Sequence, residues 1–155
     1  DEYMVLIGGN GPLKEKLQLQ IEQLGVADKV KLLGFIPEEE SADYFGACDV
    51  FCLSSVWKTE AFAIVQVEAM SCGKPIVATL IPDSGVSWVN RHGYSGVNVP
   101  IMDAEALAEA IRTLTKDEET YRKYGEQARK LYEACYRYDQ MIDNCMKLYE
   151  RINKN

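Results

Sequence analysis

The chain has 155 residues, and 17 Lys and Arg against 24 Asp and Glu give it a net charge of −7. That length can bury a core, as one domain or as part of a larger protein, and the ordinary globular composition excludes a disordered chain. The acidic balance and scattered basic residues disfavour a nucleic-acid partner and adhesion to an anionic membrane, and no apolar run approaches the ~18 residues that span a bilayer.

No basic, apolar and small-residue leader opens the segment, which is expected to work in the cytoplasm. The five cysteines, Cys48, Cys52, Cys72, Cys135 and Cys145, are odd in number, and three sit in apolar stretches. They read as reduced core thiols rather than a disulfide framework. With one histidine, His92, and the wrong Cys48–Cys52 spacing for a zinc ribbon, no metal site is expected.

Strand and helix signals alternate along the chain. Tyr3 to Ile7 reads as a strand, ending in Gly8-Gly9-Asn10-Gly11-Pro12. Leu13, Leu17, Ile21 and Leu24 recur at helical spacing up to Gly25. A second strand covers Val30 to Leu33, and Pro37 followed by three glutamates opens a helix in the preferred order. Asp49 to Leu53 predicts a third strand, about Glu60 to Ser71 an apolar helix, Pro75 to Thr79 a fourth strand and Gly96 to Val99 a fifth. Asp103 is placed to cap a helix carrying Leu107, Ile111 and Leu114, and two more helices, near 117–134 and 139–152, complete the pattern.

Apolar strands between helices predict a Rossmann-like α/β architecture, a parallel sheet with helices on both faces. Ligands bind such sheets at the carboxyl ends of the strands, which singles out the loops at 8–12, 34–37 and 54–60.

The segment from Glu60 to Met70 is the most informative. Its helix is apolar on nearly every face and is expected to be buried, which makes the Glu68 carboxylate costly unless it is paired or hydrogen-bonded. Pairing with a nearby Lys or Arg accounts for Glu68 taken alone, and a favourable helix-start charge accounts for Glu60 taken alone. Together they suggest more. A fully helical span would set them ~12 Å apart. Between them lies a helix N-terminus, with free N–H groups near Phe62, Ala63 and Ile64 that suit a phosphate. A carboxylate on each side can accept hydrogen bonds from hydroxyls, so the layout fits a nucleotide sugar.

At this point the sequence resembles the C-terminal, donor-binding half of the retaining GT-B glycosyltransferases, the family-four group with an E-x7-E motif. The likeness includes Gly9-Asn10-Gly11-Pro12-Leu13, Val30 to Pro37 and Asp49 to Ser55. It continues through Glu60–Glu68 into Gly73-Lys74-Pro75, and closes with Ser84 to Asn90 and Gly93 to Gly96. The resemblance implies that Glu60 binds donor-sugar hydroxyls at the catalytic centre, and that Phe62, Ala63 and Ile64 contact sugar and diphosphate through their backbone. By the same likeness Glu68 holds the ribose, while Gly34, Phe35 and Ile36 flank the base. The implied reaction is hexose transfer from a nucleoside diphosphate sugar to a saccharide or lipid-linked acceptor, with retention and without a metal or other cofactor. Polysaccharide biosynthesis at the cytosolic face of a membrane would be its setting.

Residues 1–155 then read as an excerpt of that nucleotide-sugar-binding domain. The family's first strand and helix, with an Arg and a Lys that grip the diphosphate, are not seen, nor is the acceptor-binding N-terminal half. The excerpt alone is expected to be inactive. Ala61 and Ala63 replace residues that are often glycine in the family. Asp83 is expected to cap a short helix at 84–91, Lys58 and His92 to be solvated, and Trp88 to face the core. Trp57 is equally suited to lining the cleft or to packing. The tyrosines of the last two helices read as packing or as a seam toward the missing half. Two other readings stay open: a non-catalytic nucleotide-binding module, and a phosphorylase or epimerase of the same fold.

Overall fold

The computed structural model describes residues 3–153. Strands and helices alternate: β1 (Val5–Gly8), α1 (Lys14–Gln23), β2 (Val30–Gly34), α2 (Glu38–Ala47), β3 (Phe51–Leu53), α3 (Ile64–Ser71) and β4 (Ile76–Leu80). Then follow α4 (Val86–Val89), β5 (Gly96–Pro100), α5 (Ala104–Lys116), α6 (Glu118–Cys135) and α7 (Tyr138–Ile152). The chain divides into two compact units, one up to Asp43 and one from Tyr44 onward, with the boundary inside α2.

In the first unit β1 and β2 pair in parallel, Val5 opposite Val30 and Ile7 opposite Leu32. The chain enters β1 through a hydrogen bond from the Val5 N–H to the Lys29 carbonyl at 2.8 Å. Every residue of β1 is exposed, and Ile21 of α1 is the unit's buried aliphatic residue among those described.

The second unit is organised around β4, which pairs in parallel with β3 on one edge and with β5 on the other. Its residues from Ile76 to Thr79 are buried. Side chains alternate across a strand, so Ile76 and Ala78 point into one core with Met70 of α3, Val86 and Val89 of α4 and Leu131 of α6. Val77 joins Val99, Ala110 and Leu114 of β5 and α5 in another. Helices therefore cover both faces of this sheet, as the continuous apolar strands require.

The caps follow the sequence. Asp103 accepts a hydrogen bond from the Ala106 N–H at 2.9 Å and starts α5. Asp117 accepts from the N–H groups of Glu119 and Thr120 and from the Thr120 hydroxyl at 2.6 Å, and starts α6. These bonds hold its carboxyl below the usual carboxylate range, the Thr120 hydroxyl contributing most. α6 lies close on the turn that ends α3: a Cβ built on Gly125 would stand 2.5 Å from the Gly73 carbonyl oxygen.

Four expectations are corrected. The strands form two parallel sheets, β1-β2 and β3-β4-β5, rather than one, because a β/α alternation fixes parallel pairing but not which strands are neighbours. The covering of both faces does not extend to β1. The helix expected from Glu60 begins four residues later, at Ile64. The cysteines are free but are not core residues: Cys48 is half-buried and the other four are exposed. No helix among the described residues is long and apolar enough to cross a membrane.

Two outcomes test this account. Gly125→Ala should lower stability by about 1–2 kcal/mol in urea denaturation, since the clash with a backbone oxygen outweighs the better helix propensity of Ala. Asp117→Ala should lower the melting temperature at neutral pH. The Asp117 contribution is complete above the unfolded carboxyl pKa of about 4 and is lost as pH falls through the depressed folded value. The gap between variant and parent should therefore close in acid.

Candidate functional site

The segment that leads from β3 into α3 is not helical. Residues 60–63 form an irregular lead-in, and Ala63 closes it in the left-handed conformation at φ 63° and ψ 70°. The cause lies in α4. In a continued helix the carbonyls of Glu60 and Ala61 would accept from the N–H groups of Ile64 and Val65. Instead the Ser84 hydroxyl donates to the Glu60 carbonyl, and the Gly85 N–H donates to the Ala61 carbonyl at 2.7 Å. A Cβ on Gly85 would stand 2.6 Å from that same carbonyl oxygen, so the approach requires glycine. The first-turn N–H groups of Ile64 and Val65 are left with no acceptor inside α3, at the positive end of the helix dipole.

The Glu60 side chain is half-buried and accepts a hydrogen bond from the Ser55 hydroxyl at 3.2 Å. Ser55 is fixed in turn by Thr79 at the end of β4, whose hydroxyl sits between the carbonyls of Leu53, at 3.4 Å, and Ser55. On α3 the residues Gln66, Ala69 and Met70 face the core. Ile64, Val65 and Glu68 lie on the exposed side, so the Glu68 carboxylate stands one turn below Ile64. Neither Glu60 nor Glu68 enters an ion pair among the described residues. The helix is thus not buried all round, and of the two readings of Glu68 the pairing with a Lys or Arg is not realised among the described residues.

α4 is itself held at both ends. At its start the Gln66 side-chain amide donates to the Val86 carbonyl at 3.3 Å. At its end the buried Asn90 binds Asn98 of β5 at 2.8 Å and accepts from the Ser95 hydroxyl at 3.0 Å. Trp88 projects from α4 with 61% of its surface exposed, against the expected core position; a single turn of helix gives no periodicity from which to read a face. Its ring packs on Phe62 of the lead-in, centroids 6.1 Å apart, and on Tyr136 at the end of α6, 6.0 Å apart. Burial pushes the Tyr136 hydroxyl up from its ordinary pKa, and that hydroxyl has no protein partner. The sequence carries no signal for this three-ring cluster, because its members lie 26 to 74 residues apart in the chain.

Asp83 does not cap α4. It adopts φ 57° and lies 3.7 Å from Lys58 in an exposed ion pair, while the Ser84 hydroxyl accepts from the Val86 N–H. Trp57 is exposed, and exposed His92 accepts from the Asn98 N–H at 3.0 Å through Nδ1. Gly34, Phe35 and Ile36 belong to the first unit, at the carboxyl end of β2. There the Gly34 carbonyl accepts from the Gly9 N–H at 2.6 Å, and Phe35 is 72% exposed. No group of three or more His, Cys, Asp and Glu side chains suited to a metal ion occurs among the described residues.

Residues 1–131 match the family described as glycosyl transferases group 1. The chain belongs to that family. It is 32% identical over 148 residues to the O-antigen chain mannosyltransferase C of Escherichia coli, covering 96% of this chain and 39% of that one. Among solved structures it superposes on HepE of Anabaena in complex with UDP, with a TM-score of 0.86 and 25% identity over 96% of this chain and 41% of that one. A structure of HepE with UDP-glucose gives a TM-score of 0.85 at the same identity and coverage. The chain therefore spans about two fifths of the length of these relatives, and its Rossmann-like α/β fold is that of the C-terminal domain of GT-B glycosyltransferases.

Ala63 holds a left-handed backbone at φ 63°, a conformation that glycine adopts without strain and a β-carbon disfavours. Ala63→Val should destabilise the protein by about 2 kcal/mol or more in thermal or urea unfolding, because a β-branched side chain tolerates this backbone poorly. Ala63→Gly should stay within about 1 kcal/mol of the parent, relief of strain offsetting the lost buried methyl and the added chain entropy.

Proposed function

We propose that this chain is the donor-binding part of a retaining hexosyltransferase, which moves a hexose from a nucleoside diphosphate sugar to a saccharide or lipid-linked acceptor. The observation that carries the reading is the lead-in at 60–63. Its carbonyls are occupied by Ser84 and Gly85, which shifts the free first amides of α3 to Ile64 and Val65, in the stretch between Glu60 and Glu68, two carboxylates outside any ion pair among the described residues. The complexes of HepE with UDP and with UDP-glucose support a nucleotide sugar as the donor class.

In this reading the diphosphate lies over the N–H groups of Ile64 and Val65, with Phe62 and Ala63 contributing backbone contacts to the sugar side. Glu60 accepts hydrogen bonds from donor-sugar hydroxyls, steadied by Ser55. Glu68 accepts from the ribose. As the glycosidic bond to the diphosphate breaks, negative charge grows on the leaving phosphate, and preorganised amides stabilise that charge where a solvent shell would have to reorganise. The leaving phosphate then assists the incoming hydroxyl on the same face of the sugar, which retains the anomeric configuration. No divalent metal is called for. The acceptor is bound by a part of the protein outside this chain, and the work is done in the cytosol, at the membrane face where the acceptor is lipid-linked.

The two acids separate in a binding experiment on the full-length transferase. Glu68→Ala should weaken UDP or GDP, whichever the parent binds, by about tenfold or more in calorimetry, the loss of hydrogen bonds to a charged acceptor. Glu60→Gln should leave that nucleotide affinity within about twofold, since the free nucleotide carries no sugar, yet lower turnover by about 10²-fold or more. Unchanged nucleotide affinity in Glu68→Ala would refute the proposed role of that residue.

A further inference from the structure

We propose that Trp88 is a positioning residue for the donor site, acting with Tyr136 as an aromatic clasp on Phe62; the proposal rests on the donor-site reading above. The clasp joins three separate elements. Phe62 comes from the lead-in, Trp88 from α4 and Tyr136 from the end of α6, and each ring touches both others with centroids 6.0–6.1 Å apart. Interplanar angles of 48°, 81° and 74° are the tilted and edge-on arrangements that aromatic rings prefer.

Core filling does not account for this arrangement. Trp88 keeps 61% of its surface exposed and Phe62 39%, and neither belongs to the cores on the two faces of β4. What the cluster secures is Phe62, the residue between the two carbonyls that α4 captures and the left-handed Ala63. The hydrogen bonds from Ser84 and Gly85 fix the lead-in at residues 60 and 61, and nothing comparable holds the backbone at 62 among the described residues. Ala63 adopts a backbone conformation that its own side chain disfavours, so the conformation must be imposed from outside. The clasp supplies that constraint through the neighbouring ring. It thereby sets the direction in which the amides of Ile64 and Val65 point. The Tyr136 hydroxyl has no partner among the described residues, so the ring rather than the hydroxyl is the working part of that residue.

The test is steady-state kinetics on the full-length transferase with its nucleotide sugar, alongside nucleotide calorimetry and melting curves. Trp88→Ala should raise the donor KM by roughly tenfold or more while leaving the acceptor KM within about twofold. Trp88→Phe should restore most of the loss, since an aromatic face remains. Tyr136→Phe should keep wild-type donor KM and an equal or higher melting temperature, because it removes only an unpartnered buried hydroxyl. Should Trp88→Ala fail to fold, Trp88→Leu, similar in apolar character but without a ring, carries the same expectation. Wild-type donor KM in Trp88→Ala or Trp88→Leu overturns the clasp, as does equal loss in donor and acceptor KM, or a Tyr136→Phe as damaged as Trp88→Ala. Glu68→Ala distinguishes the two levels. If it loses nucleotide affinity while the Trp88 variants keep theirs, the clasp alone is wrong; if it retains affinity, the donor-site reading is wrong and the clasp falls with it.

Discussion

Two backbone carbonyls decide what this site can do. Had Glu60 and Ala61 remained within α3, their oxygens would have been consumed by Ile64 and Val65, and the free first-turn amides would have been those of residues 60–62, a turn further from Glu68. Ser84 and Gly85 take those oxygens first. The competition is one of position: both donors stand at the start of α4, and α4 is fixed by Gln66 on one side and Asn90 on the other. The Asn90 end is the better satisfied of the two, its amide bonded to Asn98 and Ser95, and breaking those buried bonds would leave polar groups without partners. The same network links the sheet to the site, since Asn90 also donates to the carbonyls of Ile76 and Val97 on adjacent strands.

The electrostatics follow from that geometry. The chain carries a net charge of −7, so its overall field does not attract a diphosphate. In the proposed donor site attraction has to be local, and the N-terminal end of α3 offers fixed dipoles that need no counter-charge from a side chain. Among the described residues the two glutamates remain outside ion pairs, which keeps their oxygens available as acceptors for hydroxyl groups. Ser55 donates to Glu60 from one side only, and a carboxylate has acceptor capacity beyond one bond.

Much of this was legible in the sequence, and the gaps have specific causes. Long periodic segments such as α5, and capping residues such as Asp103, announce themselves through local chemistry, and the structure keeps both. The lead-in at 60–63 does not, because Glu, Ala, Phe, Ala and Ile read as good helix and only a remote pair, Ser84 and Gly85, forbids it. Asp83 was expected as a cap from its residue type, yet its neighbour Ser84 supplies the oxygen and Asp83 turns to Lys58. Strand order was hidden for the same reason: pairing partners are far apart in the chain. Around α3 the positions of Glu60 and Glu68 on either side of a helix start follow from local sequence, whereas the aromatic cluster does not, because its members come from three elements whose contact is purely tertiary.

Position 63 holds a left-handed backbone with an alanine rather than a glycine. Glycine would take the left-handed conformation freely and would leave the lead-in free to take others as well. Alanine pays in strain, buries its methyl among the residues packed on Ile76 and Ala78, and so ties the turn to the core. A conformation that is both disfavoured and singly populated needs support from several directions, and it has three here: hydrogen bonds at Glu60 and Ala61, ring contacts at Phe62 and core packing at Ala63. Rigid placement of the first amides of α3 is what charge stabilisation demands of a binding loop, because a dipole that must reorient on binding loses part of its effect. The backbone strain and the cluster of supports around it are therefore two aspects of one requirement.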